Sequence, residues 1–294
     1  MLLDEHGYWT VRRILSAPFW STGEEALVVA QAFSGVFDDS NSHKNAPLIL
    51  WAGFAAFDNQ WDRLDEQWRA ILRREGLPYF HMVDCEAGEP PFDRKDPNRA
   101  WRDSLIHDLR ETIFSAGLFG IACGVPYAQW EQVITPDVAE WVGAPGTVCL
   151  TIVQASTLAR AERLGWRKPI ANIFDAGVSN DALASIKWTS DILNEDKGRS
   201  DRIGIAKVKD TPALQAADMF AWELQNDMKN YLKRGPARPI RPHFKPWWND
   251  ANHRWDVQFL EADVVRHRLM QPDFQNLLND RRWNADGSPK ASEP

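Results

Sequence analysis

Cysteine is scarce in this chain and scattered: Cys85, Cys123 and Cys149 share no Cys-x-x-Cys spacing. That pattern argues against a disulfide framework and a structural zinc site, and it suits a reducing, cytoplasmic interior. Long hydrophobic runs are missing as well. No uncharged apolar stretch reaches the roughly 20 residues that a bilayer span requires, so no membrane partner is expected. Met1 to Arg13 carries Asp4 and Glu5 and lacks an apolar centre, unlike a signal peptide. Positive charge is outweighed, with 34 Lys and Arg against 41 Asp and Glu and a net charge of −7. Non-specific coating of long nucleic acid therefore gets no support. An acidic balance is compatible with a carboxylate cluster that a metal neutralises.

What is present suits an ordinary globular chain. The 294 residues are 44% hydrophobic and 26% charged, enough for one large domain or two small ones. The fifteen Trp are unusually many, and several fall at positions that a core would use. Two apolar runs, Ala26 to Asp38 and Pro47 to Phe57, flank a polar turn and read as an antiparallel hairpin. Asp58 is placed to cap a helix carrying Trp61, Leu64, Trp68 and Ile71 or Leu72, which Gly76 ends.

Pro78 to Val83 reads as a short strand, followed by a Gly/Pro/acid loop. Asn98 to Ala116 is a second helix, Leu118 to Val125 a strand and Val148 to Leu164 a buried helix. Pro169 to Phe174 and Ile203 to Val208 read as strands, with a helix over about Asp181 to Leu193 between them. Thr211-Pro212 then opens a helix through Lys233. Strands alternating with helices after an opening hairpin imply an α/β fold, a mixed sheet covered by helices.

The main domain is read as residues 24–235. Residues 236–294 form a C-terminal helical and Pro-rich extension with a polar, disordered tail.

The first run closes on Val36-Phe37-Asp38-Asp39-Ser40, two adjacent carboxylates and a hydroxyl. Taken alone this is a turn. Two more acids occupy related places. Asp175 ends a later strand, and Asp218 lies on the apolar stripe Leu214, Ala217, Ala221, Leu224, Met228 of the last core helix. A carboxylate on an inner face requires a cation, a hydrogen-bond network or a metal. A salt bridge to Lys207, Lys209 or Arg110 accounts for Asp218 as well as a metal does, and a turn with Gly177 accounts for Asp175. Together, the acids make a carboxylate-rich site, in which two metals would activate a water against a phosphodiester. Ser40 has no evident His/Asp partners, against a serine hydrolase.

Several stretches resemble the domain-of-unknown-function family 3800. They are Gly35 to Ser40, Ala52-Gly53-Phe54, Trp61 to Trp68, Phe80-His81-Met82 and Leu214-Gln215-Ala216-Ala217-Asp218-Met219-Phe220-Ala221-Trp222. The resemblance covers roughly residues 30 to 230. The family's marks are an Asp-Glu-Ser type motif after the first strand and a Gln-x-Ala-Asp-Leu type motif near the end.

It implies a ribonuclease H-like fold, in which a hairpin strand bears the first carboxylate and a late helix the last. With it come Mg²⁺ or Mn²⁺, DNA or RNA as partner, and nuclease chemistry. Asp38 and Asp218 match the two motif acids, Asp39 stands where Glu is usual, and Asp175 matches a loosely acidic place. The expected catalytic set is Asp38, Asp39, Asp175 and Asp218, with Asp38, Asp175 and Asp218 as metal ligands.

His81 is a candidate for substrate contact or proton transfer. Lys207 and Lys209 are candidates for phosphate contact, against a solvated strand edge. Gln215 is a candidate for orienting a carboxylate or water. The segment Arg234, Arg238, Arg241, His243, Lys245, Trp247, Trp248 mixes bases with aromatics as single-stranded nucleic acid requires, but the favoured reading is a loop strapped over the body by its Trp residues. Other functions open to the chain are a non-catalytic nucleic-acid- or protein-binding module and a small-molecule phosphoesterase.

Overall fold

The structure, a computed structural model, describes residues 32–40, 46–136, 138–139, 143–177, 182–187, 200–249 and 254–269. Among these, six strands form one mixed sheet. β1 (Phe33–Ser40) and β2 (Leu48–Phe57) are the expected hairpin, antiparallel with Phe37 opposite Gly53 and Asp38 opposite Ala52. β3 (Phe119–Pro126) continues antiparallel from β2. On the other side, β4 (Ile170–Asp175) runs parallel to β1, and β5 (Ser200–Ala206) runs parallel to β4. The order across the sheet is β5-β4-β1-β2-β3-β6, β6 being a strand that the sequence did not signal.

Helices cover both faces, which is why β2 and β3 are apolar almost throughout rather than alternating. On one face lie α1 (Asp58–Glu75), α2 (Met82–Ala87), α3 (Ala100–Ala116) and the 23-residue α6 (Pro212–Arg234). On the other lie α4 (Tyr127–Val133) and α5 (Pro145–Arg163). Successive β1 side chains divide accordingly: Val36 enters the core under α6, Phe37 the core under α5. No helix among the described residues is long and apolar enough to cross a membrane.

Three expectations are corrected. Asp58 is the first residue of α1 rather than its cap, and its Oδ2 accepts from the Ala32 N–H at 3.0 Å. Residues 78–83 are not a strand. Phe80 and Met82 are buried and alternate with a more open His81, so the period of two is real. The partner is α6, however: the Phe80 N–H donates to Gln215 Oε1 at 2.9 Å and the Met82 N–H to Asp218 Oδ2 at 2.7 Å. Helix side chains take the donors that a neighbouring strand would have used, and α2 begins at Met82.

The third correction is that the C-terminal extension contributes a strand to the sheet. Its described part adds α7 (Lys245–Trp248), β6 (Trp255–Phe259) at the sheet edge beside β3, and α8 (Ala262–Leu269). Trp247 stacks on Phe220 at 5.0 Å between centroids, Phe220 stacks on Phe54 at 5.0 Å, and Trp255 closes on Trp247 at 5.2 Å. Three of the five bases of this segment are occupied within the molecule. Arg238 pairs with Asp227, Arg241 with Glu223 and Glu86, and His243 lies 3.2 Å from Asp103. A strap continuous with the core is observed, with Trp247 only 3% exposed. The helix expected from Glu261 to Leu278 is described only as far as Leu269, and the expected tail lies outside the described residues. Trp247→Ala should cost about 3–5 kcal/mol, the range for truncating a buried Trp. Urea unfolding followed by tryptophan-independent far-ultraviolet dichroism measures it, and a loss under about 1 kcal/mol would mark the strap as peripheral.

Candidate functional site

The site is built where β1 and β4 end side by side. Their parallel register pairs Val36 with Ile173 and Phe37 with Phe174. One residue further come Asp38, still paired with Ala52 of β2, and Asp175, still paired with Ala206 of β5, each two residues beyond a side chain in the α6-side core (Val36, Ile173). Alternation thus puts both carboxylates under α6. α6 crosses β1 and β2 on this face, and its inner stripe brings Asp218 to the same place. Ligands of open α/β sheets gather at the carboxyl ends of parallel strands for this reason.

Asp38, Asp39, Asp175, His81 and Asp218 all line one polar cleft of about 430 Å³. Asp38 is 8% exposed and Asp218 6%. Burial pushes the Asp38 carboxyl well above the ordinary range, and the charges of Asp218, Asp39 and Asp175 push it further. Burial also raises Asp218, to about 6, against the lowering influence of His81 and of the Met82 N–H. Among the described residues no Lys or Arg lies within salt-bridge distance of either carboxylate. The expected alternative partners of Asp218 are elsewhere. Arg110 donates to the His243 carbonyl, Lys209 turns to Tyr79 and Asp84, and Lys207 is exposed.

Asp175 combines two roles. Its Oδ2 accepts from the Gly177 N–H at 2.7 Å, the expected turn, and its Oδ1 from the Val208 N–H at 3.0 Å. These two bonds fix a carboxylate that still faces the cleft. Asp39 follows the alternation to the opposite strand face but borders the cleft because the strand ends there. His81 has Nδ1 3.0 Å from Asp84 Oδ2, although the angle leaves that nitrogen without a hydrogen bond, and its Nε2 is 4.0 Å from Asp218 Oδ1.

Three candidates for substrate contact do not face the cleft. Gln215 is fully buried: its Oε1 accepts from Trp68 Nε1 and the Phe80 N–H, and its Nε2 donates to the Lys209 carbonyl. It positions residues 79–82 against α6 instead of touching a ligand. Lys209 donates to the Tyr79 hydroxyl at 3.1 Å and stands 3.8 Å from Asp84, and Lys207 is absent from the lining. Strand-end lysines point away because the site lies under α6, whereas residues 207–210 form the turn leading into that helix.

Sequence reasoning passed over Val83, Trp222, Gln225, Asn226 and Lys229, which line the far side of the cleft. The signal was available in the helical period: 222, 225, 226 and 229 follow Asp218 at spacings of four, seven, eight and eleven.

Among the described residues no group of three His, Cys, Asp or Glu side chains stands in metal-holding geometry. The donor chemistry nonetheless suits a hard cation, because Mg²⁺ keeps several waters and is commonly bound through one or two carboxylates. Two buried carboxylates with no Lys or Arg partner among the described residues meet that description. Searches of protein-family models and of curated proteins return no match for this chain.

Proposed function

We propose that the chain is a divalent-metal-dependent nuclease of ribonuclease H-like fold, of the kind found in the domain-of-unknown-function family 3800. The reading rests on one observation above the others: Asp38 and Asp218 line the same cleft, both buried, the charge of Asp218 adds to burial in raising the Asp38 carboxyl, and among the described residues no Lys or Arg balances either. The placement of the two acids, one on the hairpin's first strand and one on a late helix, agrees with that fold.

Asp38 and Asp218 would hold Mg²⁺ or Mn²⁺, with Asp175 or Asp39 completing the set. Such a cation supplies Lewis acidity toward a phosphate oxygen and a more acidic bound water. The chain's own contribution is orientation. The Met82 N–H takes one oxygen of Asp218 and leaves the other on the His81 side of the cleft. Two backbone N–H groups hold Asp175 at the β4 end. His81, beside Asp84, borders the same space and can exchange a proton with a bound phosphate ester.

Cleavage of single- and double-stranded DNA and RNA should require Mn²⁺ or Mg²⁺, stop with EDTA, and fall at least about 100-fold in Asp38→Ala, the loss typical of removing a principal electrostatic stabiliser. Saturating Mn²⁺ should raise the melting temperature of the wild type but not of Asp38→Ala. Neither cleavage nor a shift with any substrate would defeat the metal reading. Retained nucleic-acid binding would then identify a non-catalytic module, and turnover of a simple phosphate ester alone a small-molecule phosphoesterase.

A further inference from the structure

The carboxylates occupy only one end of the cleft. From Asp218 the inner edge of α6 runs on through Trp222, Gln225, Asn226 and Lys229, all of which line the same space. Lys229 is eleven residues beyond Asp218, so the two stand about 16 Å apart along the helix axis at a rise of 1.5 Å per residue.

The far end differs in chemistry from the acidic end. Lys229 has no carboxylate within salt-bridge distance among the described residues; its ammonium instead donates to Gln225 Oε1 at 3.0 Å. That bond orients the Gln225 amide. Gln225 is 4% exposed, and its Nε2 has no partner among the described residues. Asn226 uses its Nδ2 on the Trp222 carbonyl, which leaves Oδ1 as an acceptor. Trp222 is half-buried, with the Arg241 guanidinium 4.6 Å from its ring centroid. Arg241 is itself committed to Glu223 and Glu86. An unpaired cation, an unsatisfied amide donor and a held aromatic ring are therefore arrayed along one helix edge.

We infer that this edge is a subsite for single-stranded nucleic acid, on which Lys229 and Gln225 take a flanking phosphate and Trp222 stacks a base while the scissile phosphate lies at Asp38 and Asp218. The inference rests on the phosphodiester reading and names its substrate class. A span of about 16 Å exceeds one nucleotide step, since stacked nucleotides on one strand rise about 3.4 Å each. A mononucleotide cannot bridge it, whereas an oligonucleotide can. A paired base is not free to stack on a side chain, so an unpaired strand is selected.

Binding in EDTA, where no cleavage competes, tests the subsite without the metal. The probe is a fluorescein-labelled thymidine oligonucleotide of about ten nucleotides, within the range that single-strand sites track, followed by anisotropy over a salt series. Lys229→Ala should weaken binding about ten-fold and lower the slope of log affinity against log salt by about one, as loss of one phosphate contact does. Trp222→Ala should weaken it by a similar factor, and Trp222→Phe, which keeps a ring and guards against misfolding, should restore most of it.

Wild-type affinity in both Lys229→Ala and Trp222→Ala overturns the inference and leaves the metal reading to its own test with Asp38→Ala. Equal affinity for a duplex of the same length, or for a mononucleotide, also overturns it.

Discussion

Gly53→Ala should abolish the native fold or cost more than about 4 kcal/mol, in the exceptional tail of single substitutions. Gly53 lies directly opposite Phe37 in the hairpin. A Cβ there would stand 1.9 Å from the Val36 carbonyl oxygen and 2.8 Å from the Phe37 Cα. Both obstacles are backbone, so no rotamer relieves them, and β1 must separate from β2. β1 is also the strand that delivers Asp38, one residue past Phe37. Any variant that does fold should therefore lose metal-dependent activity as well.

Gly76→Ala is the contrast. That residue has φ +66° with nothing within 4 Å, so only the left-handed conformation resists, at about 1–2 kcal/mol. Urea unfolding of both variants decides the matter. Equal losses would mean that close approach at Gly53 is not what the strand requires.

Asp218→Asn should stabilise the metal-free protein while removing its metal response. In the folded chain the Asp218 carboxyl is held at about 6, against an ordinary 3.8, first by burial. A raised value means that the folded state binds the proton more tightly than the unfolded one. As pH rises from about 4 to about 6 the unfolded chain releases its proton first, so stability falls across that window and the full penalty persists above it. The penalty is on the order of 3 kcal/mol at neutral pH, shared with the coupled Asp38.

Asparagine is neutral, close in shape, and keeps an oxygen for the Met82 N–H. In EDTA the variant should gain about 1–3 kcal/mol over wild type at pH 8 and almost nothing at pH 4, where the wild-type carboxyl is already protonated. The wild type should recover the difference on adding Mn²⁺, and the variant should not. A variant less stable than wild type at pH 8 in EDTA would show that Asp218 already has a stabilising partner. The reading of an uncompensated carboxylate pair would then fail. Such a stability cost at a functional site is the expected trade-off.

Much of the local architecture was legible from residue patterns. The hairpin, α1 with Trp61, Leu64, Trp68 and Leu72 on its buried face, α3, α5 and α6 all follow from apolar periodicity with Gly and Pro at the ends. β6 was not legible. Trp255 to Phe259 is half-buried throughout and follows a Pro-rich run. Only the open edge of β3 makes it a strand, with Gly120 leaving room for the Trp255 ring where a Cβ would stand 2.1 Å from it. The strap itself was expected, but its anchors were not, because only the fold shows that Asp227 and Glu223 of α6 hold Arg238 and Arg241.

Residue patterns alone placed Asp38 at the close of a buried strand, which in fact runs on to Ser40, made Asp175 the last residue of another, and set Asp218 on a helix face with apolar residues. These are consequences of periods of two and 3.6, and local backbone geometry enforces them. That the three face one cleft came from the fold, since it depends on the parallel register of β1 with β4 and on where α6 crosses the sheet. The fold also decided that Gln215 and Lys209 serve the scaffold, and that Trp222, Gln225 and Lys229 border the site. The physical reason is the same in each case: a side chain's direction is set by its own element, whereas its neighbours are set by contacts between residues far apart in the chain.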